Sequence, residues 1–515
     1  MLAFAGTGFT PTYAADPQPY RIEWASSGHG DIDSVLKATS QLEQLRTTAP
    51  TDPFGLIART RGDVNRLQTV LESFGYYESG IAITINGLAL GDAKLADTIT
   101  ALPKGSDARV KITPTLGPLF HVGSIEFKGT LPPGMERKLG ISSGAPAVAA
   151  DILAAGTALQ ADLQNAGYAF ATVDKPVAHL VPAPQRVLNL VFSVMTGPKV
   201  KIGQIKLEGL KNVDESLITR RLLIHTDQPY DASAVERARQ DLLTLGVFST
   251  VNVRLGQAVD DQGRVPLTFA FREAKSRTVG ISAAYSTDLG ASAGASWSDR
   301  NLLGGAQTLA FSANAINLGG TASTGLGYDA TLSYSIPDFH HRDQTLRLSV
   351  EALRQELQAY SEVGQLFSAI VSRRLSTVWT VSGGLAYEHE LIGQPGATCA
   401  IPSGTSPTNP ANVVCPLSET TTYELFMLPL TGRYDSTNLP NPLADPTHGW
   451  RISLIVTPTF SYSHAGTIFA VTQASAMTYI DMHNLFPGVE PGRSVIAARA
   501  VTGMVRGTVW YNLPP

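Results

Sequence analysis

The chain has few cysteines, few charged residues and no long apolar run. Of its 515 residues only two are cysteine, and 16% are charged. No stretch approaches the roughly eighteen consecutive apolar residues of a membrane-spanning helix, which excludes a helical membrane protein. The net charge of −4 offers no basic surplus for general nucleic-acid binding. A hydrophobic content of 43%, spread along the chain, excludes a disordered protein.

Lysine is missing from the second half of the chain. None follows Lys275, although 240 residues remain. A water-exposed domain of that size ordinarily places lysine on its solvated face, but this segment uses Gly, Ser, Thr, Ala and aromatic residues. The composition therefore predicts a boundary near residue 275, with different surroundings on its two sides.

The N-terminus and the two cysteines both bear on the compartment. Residues 1–15 form a short apolar segment that ends in small residues, which is typical of a signal-peptide remnant. The alternative is an apolar N-terminus that frays. Cys399 and Cys415 lie in a segment rich in Pro, Asn, Ser and Thr, and we expect a disulfide between them in an oxidising compartment. Two unrelated free thiols are the alternative.

A phased repeat occupies the first half. Gly75, Gly167 and Gly246 each follow an apolar helix end and precede an alternating strand, as a glycine does that ends a helix in the left-handed conformation. A Gly-Pro pair and a following strand repeat in step, at Gly117 and Gly197. Each unit predicts the order strand, helix, helix, strand, strand, and Ser233–Leu245 is the predicted second helix of the third unit. The expected bounds of the three α+β units are 18–115, 116–196 and 197–274.

Alternating chemistry marks the strands of the second half. In the first of them, Thr278 to Ser286, the apolar or aromatic residues Val279, Ile281, Ala283 and Tyr285 alternate with the small residues Gly280, Ser282, Ala284 and Ser286. About eleven such strands between residues 278 and 506 predict an antiparallel transmembrane β-barrel over residues 276–515, with apolar side chains outward and polar ones inward. A soluble β-sandwich is the alternative, but it would solvate one face with Lys and Glu.

These features resemble a known family. The three units look like POTRA domains, and Val279 to Trp297 resembles the first barrel hairpin of TamA-type members of the BamA/TamA superfamily. Asp435, followed by Pro446, Gly449 and Trp450, is similar to the Asp…Pro…Gly-Trp hairpin of that superfamily. The resemblance implies a barrel of about sixteen strands, of which about eleven are present. Because the chain stops at the expected start of a lumen loop, we expect a C-terminally truncated barrel.

The resemblance also implies a function. A TamA-type protein would reside in the Gram-negative outer membrane, with its POTRA units in the periplasm, and would help to insert or secrete β-barrel or autotransporter-type proteins. Its first strand, Thr278 to Ser286, would form a lateral gate. The implied partners are outer-membrane lipid, unfolded clients and a TamB-type protein anchored in the inner membrane. A two-partner secretion transporter, a passive porin or surface antigen, and a soluble adaptor are the alternatives.

The sequence has only weak matches to the motifs of catalytic and metal-binding sites. The Gly-x-Ser-x-Gly string at Gly290 lies within a predicted strand, without the strand-turn-helix context of a nucleophile elbow. Glu388-His389-Glu390, expected at a strand end or a turn, lacks the spacing of zinc sites. We therefore predict no catalytic, metal-binding or cofactor-binding residues, and no enzyme.

Overall fold

The computed structural model describes residues 17–103, 105–136, 139–394, 419–437, 445–462, 466–486 and 488–507. The predictions for residues 1–15, Cys399 and Cys415 lie outside these ranges. The chain forms two compact units, and the division between them crosses the third repeat. The first unit comprises Met1–Gly203, Thr226–Ala234 and Ala258–Val265, and the second comprises Gln204–His225, Val235–Gln257 and Pro266–Pro515. No helix within the described ranges is both long and apolar enough to cross a bilayer.

The first repeat packs its helices on a four-stranded sheet of order β1-β4-β2-β3. Its long third helix begins at Pro53 after Asp52, whose carboxylate accepts the backbone N–H of Gly55 at 2.8 Å and so caps the helix. Apolar residues on one face of that helix, Leu56, Leu67 and Leu71, are buried in the core. The elements are β1 (Tyr20–Trp24), α1 (Gly30–Thr39), α2 (Gln41–Gln44), α3 (Pro53–Ser73), β2 (Gly80–Ile85), β3 (Leu88–Ala89), α4 (Leu95–Thr100) and β4 (Ala108–Thr115).

The second repeat departs from the predicted pattern of two helices. Its described residues hold one α-helix, since the segment before it is rich in glycine and proline, with positive φ at Gly129, Gly134, Gly140 and Gly144. Strand β8 is central: β5 pairs with it in parallel, and β6 and β7 pair with it antiparallel. The elements are β5 (His121–Lys128), α5 (Ala149–Asn165), β6 (Thr172–Val173), β7 (Val177–Val181) and β8 (Val187–Met195).

The third repeat has two helices and a three-stranded sheet of order β10-β11-β9. Its second helix buries Val235, Ala238 and Leu242 on one face. That helix covers Ala232–Leu243, so it ends two residues before the predicted Leu245, which is only half-buried. The elements are β9 (Lys201–Glu208), α6 (Glu215–Arg221), α7 (Ala232–Leu243), β10 (Phe248–Leu255) and β11 (Arg264–Glu273).

Within the described residues a twelve-stranded antiparallel sheet follows, so the predicted fold class, α+β repeats before a large antiparallel sheet, is confirmed. Its strands are β12 (Arg277–Ser286), β13 (Gly290–Asp299), β14 (Thr308–Gly319), β15 (Gly327–Ile336), β16 (Gln344–Glu356), β17 (Ser361–Arg374), β18 (Trp379–Gln394), β19 (Glu419–Met427), β20 (Leu430–Asp435), β21 (Gly449–Ser461), β22 (Thr467–Asp481) and β23 (Val495–Arg506).

Two of these strands share one position in the sheet. Both β19 and β20 lie between β18 and β21, and Leu428-Pro429 separates them. Pro429 has no N–H to donate, so the strand is interrupted there, but its carbonyl still accepts the N–H of Gly384 at 3.2 Å. Twelve strands therefore occupy eleven positions, which accounts for the predicted count of about eleven.

Candidate functional site: the first strand and the two faces of the sheet

The pairing register gives the sheet one apolar and one polar face. Directly paired residues form an unbroken row across eight positions: Phe311, Leu332, Val350, Phe367, Tyr387, Phe426, Phe460 and Ile468. One residue along the strands, on the opposite face, Ser333, Ser349 and Ser368 pair in sequence, and the hydroxyls of Ser349 and Ser368 are 2.6 Å apart. A sheet with such faces suits lipid on one side and a polar interior on the other.

Two aromatic rows flank the apolar band. The first is the aromatic part of the row above, Phe367, Tyr387, Phe426 and Phe460. The second contains the paired residues Trp379 and Tyr434, and Trp450 lies two residues before Ile452, the next partner of Tyr434. The ring centroids of Tyr387 and Phe426 lie 4.9 Å apart, and those of Trp379 and Tyr434 lie 5.2 Å apart. Trp379 and Tyr387 are separated by about 27 Å along β18, or about 20 Å in height at the usual strand tilt. Aromatic girdles at this separation are typical of an outer-membrane barrel.

The polar residues Glu388-His389-Glu390 lie inside β18, and the prediction of a strand end or turn was wrong. The strand continues for sixteen residues to Gln394 because β17 pairs with it as far as Gly393. The His389 ring nitrogen Nδ1 is 2.8 Å from Glu424 Oε1, on the apolar face, two pairing positions beyond Tyr387 and Phe426. This pair interrupts the apolar face, which continues with Leu391 and its partner Val363.

The first strand, β12, is an exposed edge strand of the sheet, as is β23 at the other end of the strand order. Val279, Ile281 and Tyr285 are 72%, 89% and 76% exposed. Within the described residues β12 pairs with β13 alone. Small residues, Ser282 to Ala284 with their partners Ser292 to Gly294, give this pairing little side-chain packing. The site residues predicted for a gate, Thr278 to Ser286, all lie in this one strand.

The repeated glycines adopt the same local geometry. Gly75, Gly167 and Gly246 have φ of +92°, +104° and +72°. A Cβ at Gly75 would lie 3.2 Å from the carbonyl oxygen of Ala147, whereas a Cβ at Gly246 would meet no atom within 4 Å. The first position is therefore restricted by both backbone conformation and space.

Asp435, Gly449 and Trp450 lie at the end of the sheet where β20 stops and β21 begins, and Pro446 lies between Asp435 and Gly449 in the sequence. Asp435 pairs with Arg451, whose Nε lies 3.1 Å from the carboxylate. Gly449 has φ +102°, and a Cβ there would lie 2.8 Å from the carbonyl oxygen of Ser436. Ser436 Oγ accepts the N–H of Trp450 at 2.9 Å. The hairpin thus needs glycine for its close backbone approach.

A charged cluster that no sequence motif marks joins α6, α7 and the turn Pro337–Asp343. Arg221, 6% exposed, donates from Nη1 to both carboxylate oxygens of Asp338 at 2.7 Å and from Nη2 to Asp241 at 3.0 Å. Arg342 pairs with Asp241, and Arg374 pairs with Asp343. Burial lowers the pKa of Arg221, but the aspartates outweigh this effect and raise it above the ordinary value. Arg221 is therefore charged and compensated.

Glu273, the last residue of β11, organises the loop that follows β9. One carboxylate oxygen accepts the backbone N–H groups of Lys211, Asn212 and Val213 at 2.7–3.1 Å. Burial raises the pKa of Glu273, but these three hydrogen bonds and one from the Asn212 side chain outweigh it and lower the pKa. Sequence reasoning missed this residue because its partners lie about sixty positions away.

Comparison with known proteins supports this architecture. Residues 200–274 match the POTRA family (surface antigen variable number repeat), and residues 301–515 match the Omp85 superfamily domain. The chain is similar to the outer membrane protein assembly factor BamA of Neisseria meningitidis serogroup B, with 25% identity over 162 residues, which cover 31% of this chain and 20% of that protein. BamA of Neorickettsia risticii is 26% identical over 161 residues, covering 31% and 21%. The match thus spans about a fifth of the length of each relative.

A solved structure has the same fold. BamA from Haemophilus ducreyi lacking POTRA domains 1–3 superposes with a TM-score of 0.57 and 17% identity, covering 76% of this chain and 71% of that one. The fold and the two faces of the sheet define a POTRA-bearing outer-membrane β-barrel protein. The family matches support membership of the BamA/Omp85 superfamily. The predicted location, the outer membrane with POTRA repeats in the periplasm, is confirmed by the same matches.

Proposed function

We propose that this chain is a TamA-type assembly and translocation factor, which helps to insert or secrete β-barrel or autotransporter-type proteins at the outer membrane. The observation that carries the proposal is the edge of β12. It is a strand of a lipid-facing sheet, it follows directly after a POTRA repeat, it pairs with β13 alone among the described residues, and it has exposed apolar residues on the lipid side.

The edge of β12 would act as a template. A client strand that pairs with it satisfies its backbone groups before it meets lipid, where unpaired N–H and C=O groups are very costly. The client's outward residues then enter the bilayer beside Val279 and Ile281. Release is easy because Ser282, Ala283 and Ala284 offer the partner strand few side-chain contacts. Weak pairing at the gate thereby allows repeated use.

The POTRA repeats would receive clients and partners on the periplasmic side. Strand β7 pairs with β8 on one side, and its residues Val177 and Leu180 are exposed. No charged residue interrupts Val177–Val181. An uncharged strand edge of this kind accepts an added strand through main-chain hydrogen bonds. The partners we propose are unfolded clients and a TamB-type protein anchored in the inner membrane.

Stiffening the edge strand tests the gate. A Cβ at Gly280 would lie 2.6 Å from Ser296 Oγ, a contact that rotation of the serine relieves, so Gly280→Val raises β propensity and packing in β12. We expect loss of client insertion into vesicles that contain the protein. Gly432→Val is the matched control, since Gly432 lies in β20 with no atom within 4 Å of its Cβ position. Equal insertion by both variants would contradict the proposal.

A second experiment separates the TamA type from the two-partner secretion alternative. We expect deletion to impair several unrelated autotransporters, and a photo-crosslinker at Leu180 to capture either a client or an inner-membrane partner. Loss of one dedicated secreted protein, with all others unaffected, would favour the two-partner transporter. Unchanged assembly of every client, with ion conductance as the only effect, would favour a passive porin.

A further inference from the structure

The two ends of the first hairpin are held very differently. At the base, where β12 begins, Arg277 pairs directly with Asp299, and their side chains form an ion pair at 3.1 Å. Arg300, in the turn after β13, donates from its backbone N–H to Ser276 O at 3.0 Å and from Nη2 to Thr278 Oγ1 at 3.2 Å. Three polar contacts thus converge on the first residues of the strand.

The third repeat holds the same turn. Asn301 Nδ2 donates to the carbonyl oxygen of Asn212 at 2.8 Å, and the N–H of Asp214 donates to Gly304 O at 2.9 Å. Asn301 Oδ1 accepts the N–H of Ala306, so the same side chain shapes the turn and docks it. The loop on which it docks is organised by the carboxylate of Glu273. The turn Arg300–Gln307 therefore has little freedom to move away from the repeat.

The next turn on the same side of the sheet is also held. Arg221 contacts both Asp338 and Asp343 in the turn Pro337–Asp343, at 2.7 and 3.4 Å. Three arginines and three aspartates form this cluster, so its charges balance: Arg221, Arg342, Arg374, Asp241, Asp338 and Asp343. Both turns that follow β13 and β15 are consequently joined to the third repeat.

Among the described residues the far end of the hairpin has no ion pair. Its turn is joined instead to the loop after β14, where the N–H of Ala322 donates to Asp288 O at 2.8 Å and that of Thr321 to Thr287 O at 3.4 Å. From Ser282 to Ser286, β12 faces Gly294, Ala293, Ser292, Ala291 and Gly290. The pairing of β13 with β14 shifts register between Ala291 and Ala293, so the support behind the hairpin is interrupted at the same level. Tyr285 is exposed, and small residues fill the rest. Local opening should therefore require least free energy here.

We propose that the third repeat anchors the base of the first strand, so that β12 separates from β13 at the far end first, near Ser286, while Arg277 to Val279 stay paired with β13. This proposal rests on the proposed function only in assuming that a client pairs with β12. Asn301 and Arg221 are positioning residues in this scheme: they act on the strand through the turns and touch no client. A client strand would pair first with the Ser282–Ser286 part of the edge.

Hydrogen exchange of the full chain in lipid vesicles, without a client, tests the anchor. We expect the amides of Arg277–Val279 to exchange about tenfold or more slowly than those of Ser282–Ser286. In the double variant Asn301→Ala with Arg221→Met, the base should exchange as fast as the far end, with the far end unchanged. Asp288→Asn, in the far turn, is the control and should leave the base as it is.

Several outcomes would overturn the anchor. One is uniform amide exchange along β12 in the unaltered protein. The other is that the double variant leaves amide exchange at the base of β12 unchanged. Exchange in β17 and β18 reports whether the variant keeps its sheet. If the variant does not assemble, the comparison within the unaltered strand decides alone. Failure here leaves the Gly280→Val test of client insertion standing, and failure of that test leaves the anchor standing.

Discussion

Removal of the Arg221 guanidinium should destabilise the third repeat strongly. Its Nη atoms make the two 2.7 Å bonds to Asp338 and one of 3.0 Å to Asp241, whereas Nε, although 3.0 Å from Asp241, lacks hydrogen-bond geometry. Loss of one partner of a buried ion pair costs about 3–5 kcal/mol. In Arg221→Met, Asp241 keeps its ion pair with Arg342 and Asp343 keeps its ion pair with Arg374. We therefore expect a loss of stability at the lower end of this range, about 3 kcal/mol.

The free energy of local opening can be measured by native-state hydrogen exchange of α6 and α7 in the full chain. A loss of about 3 kcal/mol corresponds to roughly a hundredfold faster exchange. Arg239→Met is the matched control, because Arg239 is more exposed and pairs with Glu236 one helical turn away; its loss should cost under about 1 kcal/mol. Adding Asp338→Asn to Arg221→Met should restore part of the stability. Equal effects of the two single variants would refute this reasoning.

Three further predictions concern the repeats. Folding lowers the pKa of Glu273, so its carboxylate stabilises the third repeat at pH values above its ordinary pKa, and this stabilisation is lost as the pH falls through the folded pKa. The variant Glu273→Gln should therefore be less stable at neutral pH. In a series of denaturation measurements at decreasing pH, it should lack this part of the acid dependence. Asp63, fully buried, accepts two backbone N–H groups and the Ser40 hydroxyl, so Asp63→Ala should cost about 2–4 kcal/mol in urea unfolding. Gly75→Ala should lower the melting temperature more than Gly246→Ala, since only Gly75 faces a nearby carbonyl.

The sheet was predictable because its signal is local. A period of two, sustained over ten residues, assigns each side chain to a face before any partner strand is known. The same holds for the glycines after helices, since a positive φ at Gly75, Gly167 and Gly246 reflects conformational freedom that other residues lack. The residue bounds predicted for the domains, and the truncation of the barrel, stay predictions.

Contacts between residues far apart in the sequence could not be predicted from local sequence patterns. Arg221 and Asp338 are 117 positions apart, and neither lies in a recognisable motif. Their meeting depends on how α6 packs beside a turn of the sheet, which no local period encodes. Glu388-His389-Glu390 was misplaced for a related reason. Charged residues suggest a turn, but β17 pairs with β18 as far as Gly393, and the carboxylate of Glu424 on the neighbouring strand offers His389 a partner.

Site-specific photo-crosslinking to a stalled client tests the central claim most directly. A photoreactive residue would replace Ser282 or Ala284 on β12, and Ser349 or Ser368 on the polar face of the central strands would serve as matched positions. The account predicts abundant client crosslinks from β12, in a register consistent with strand pairing, and few from the central strands. Crosslinks of equal yield from both sets, or from the central strands alone, would contradict a gate at the first strand.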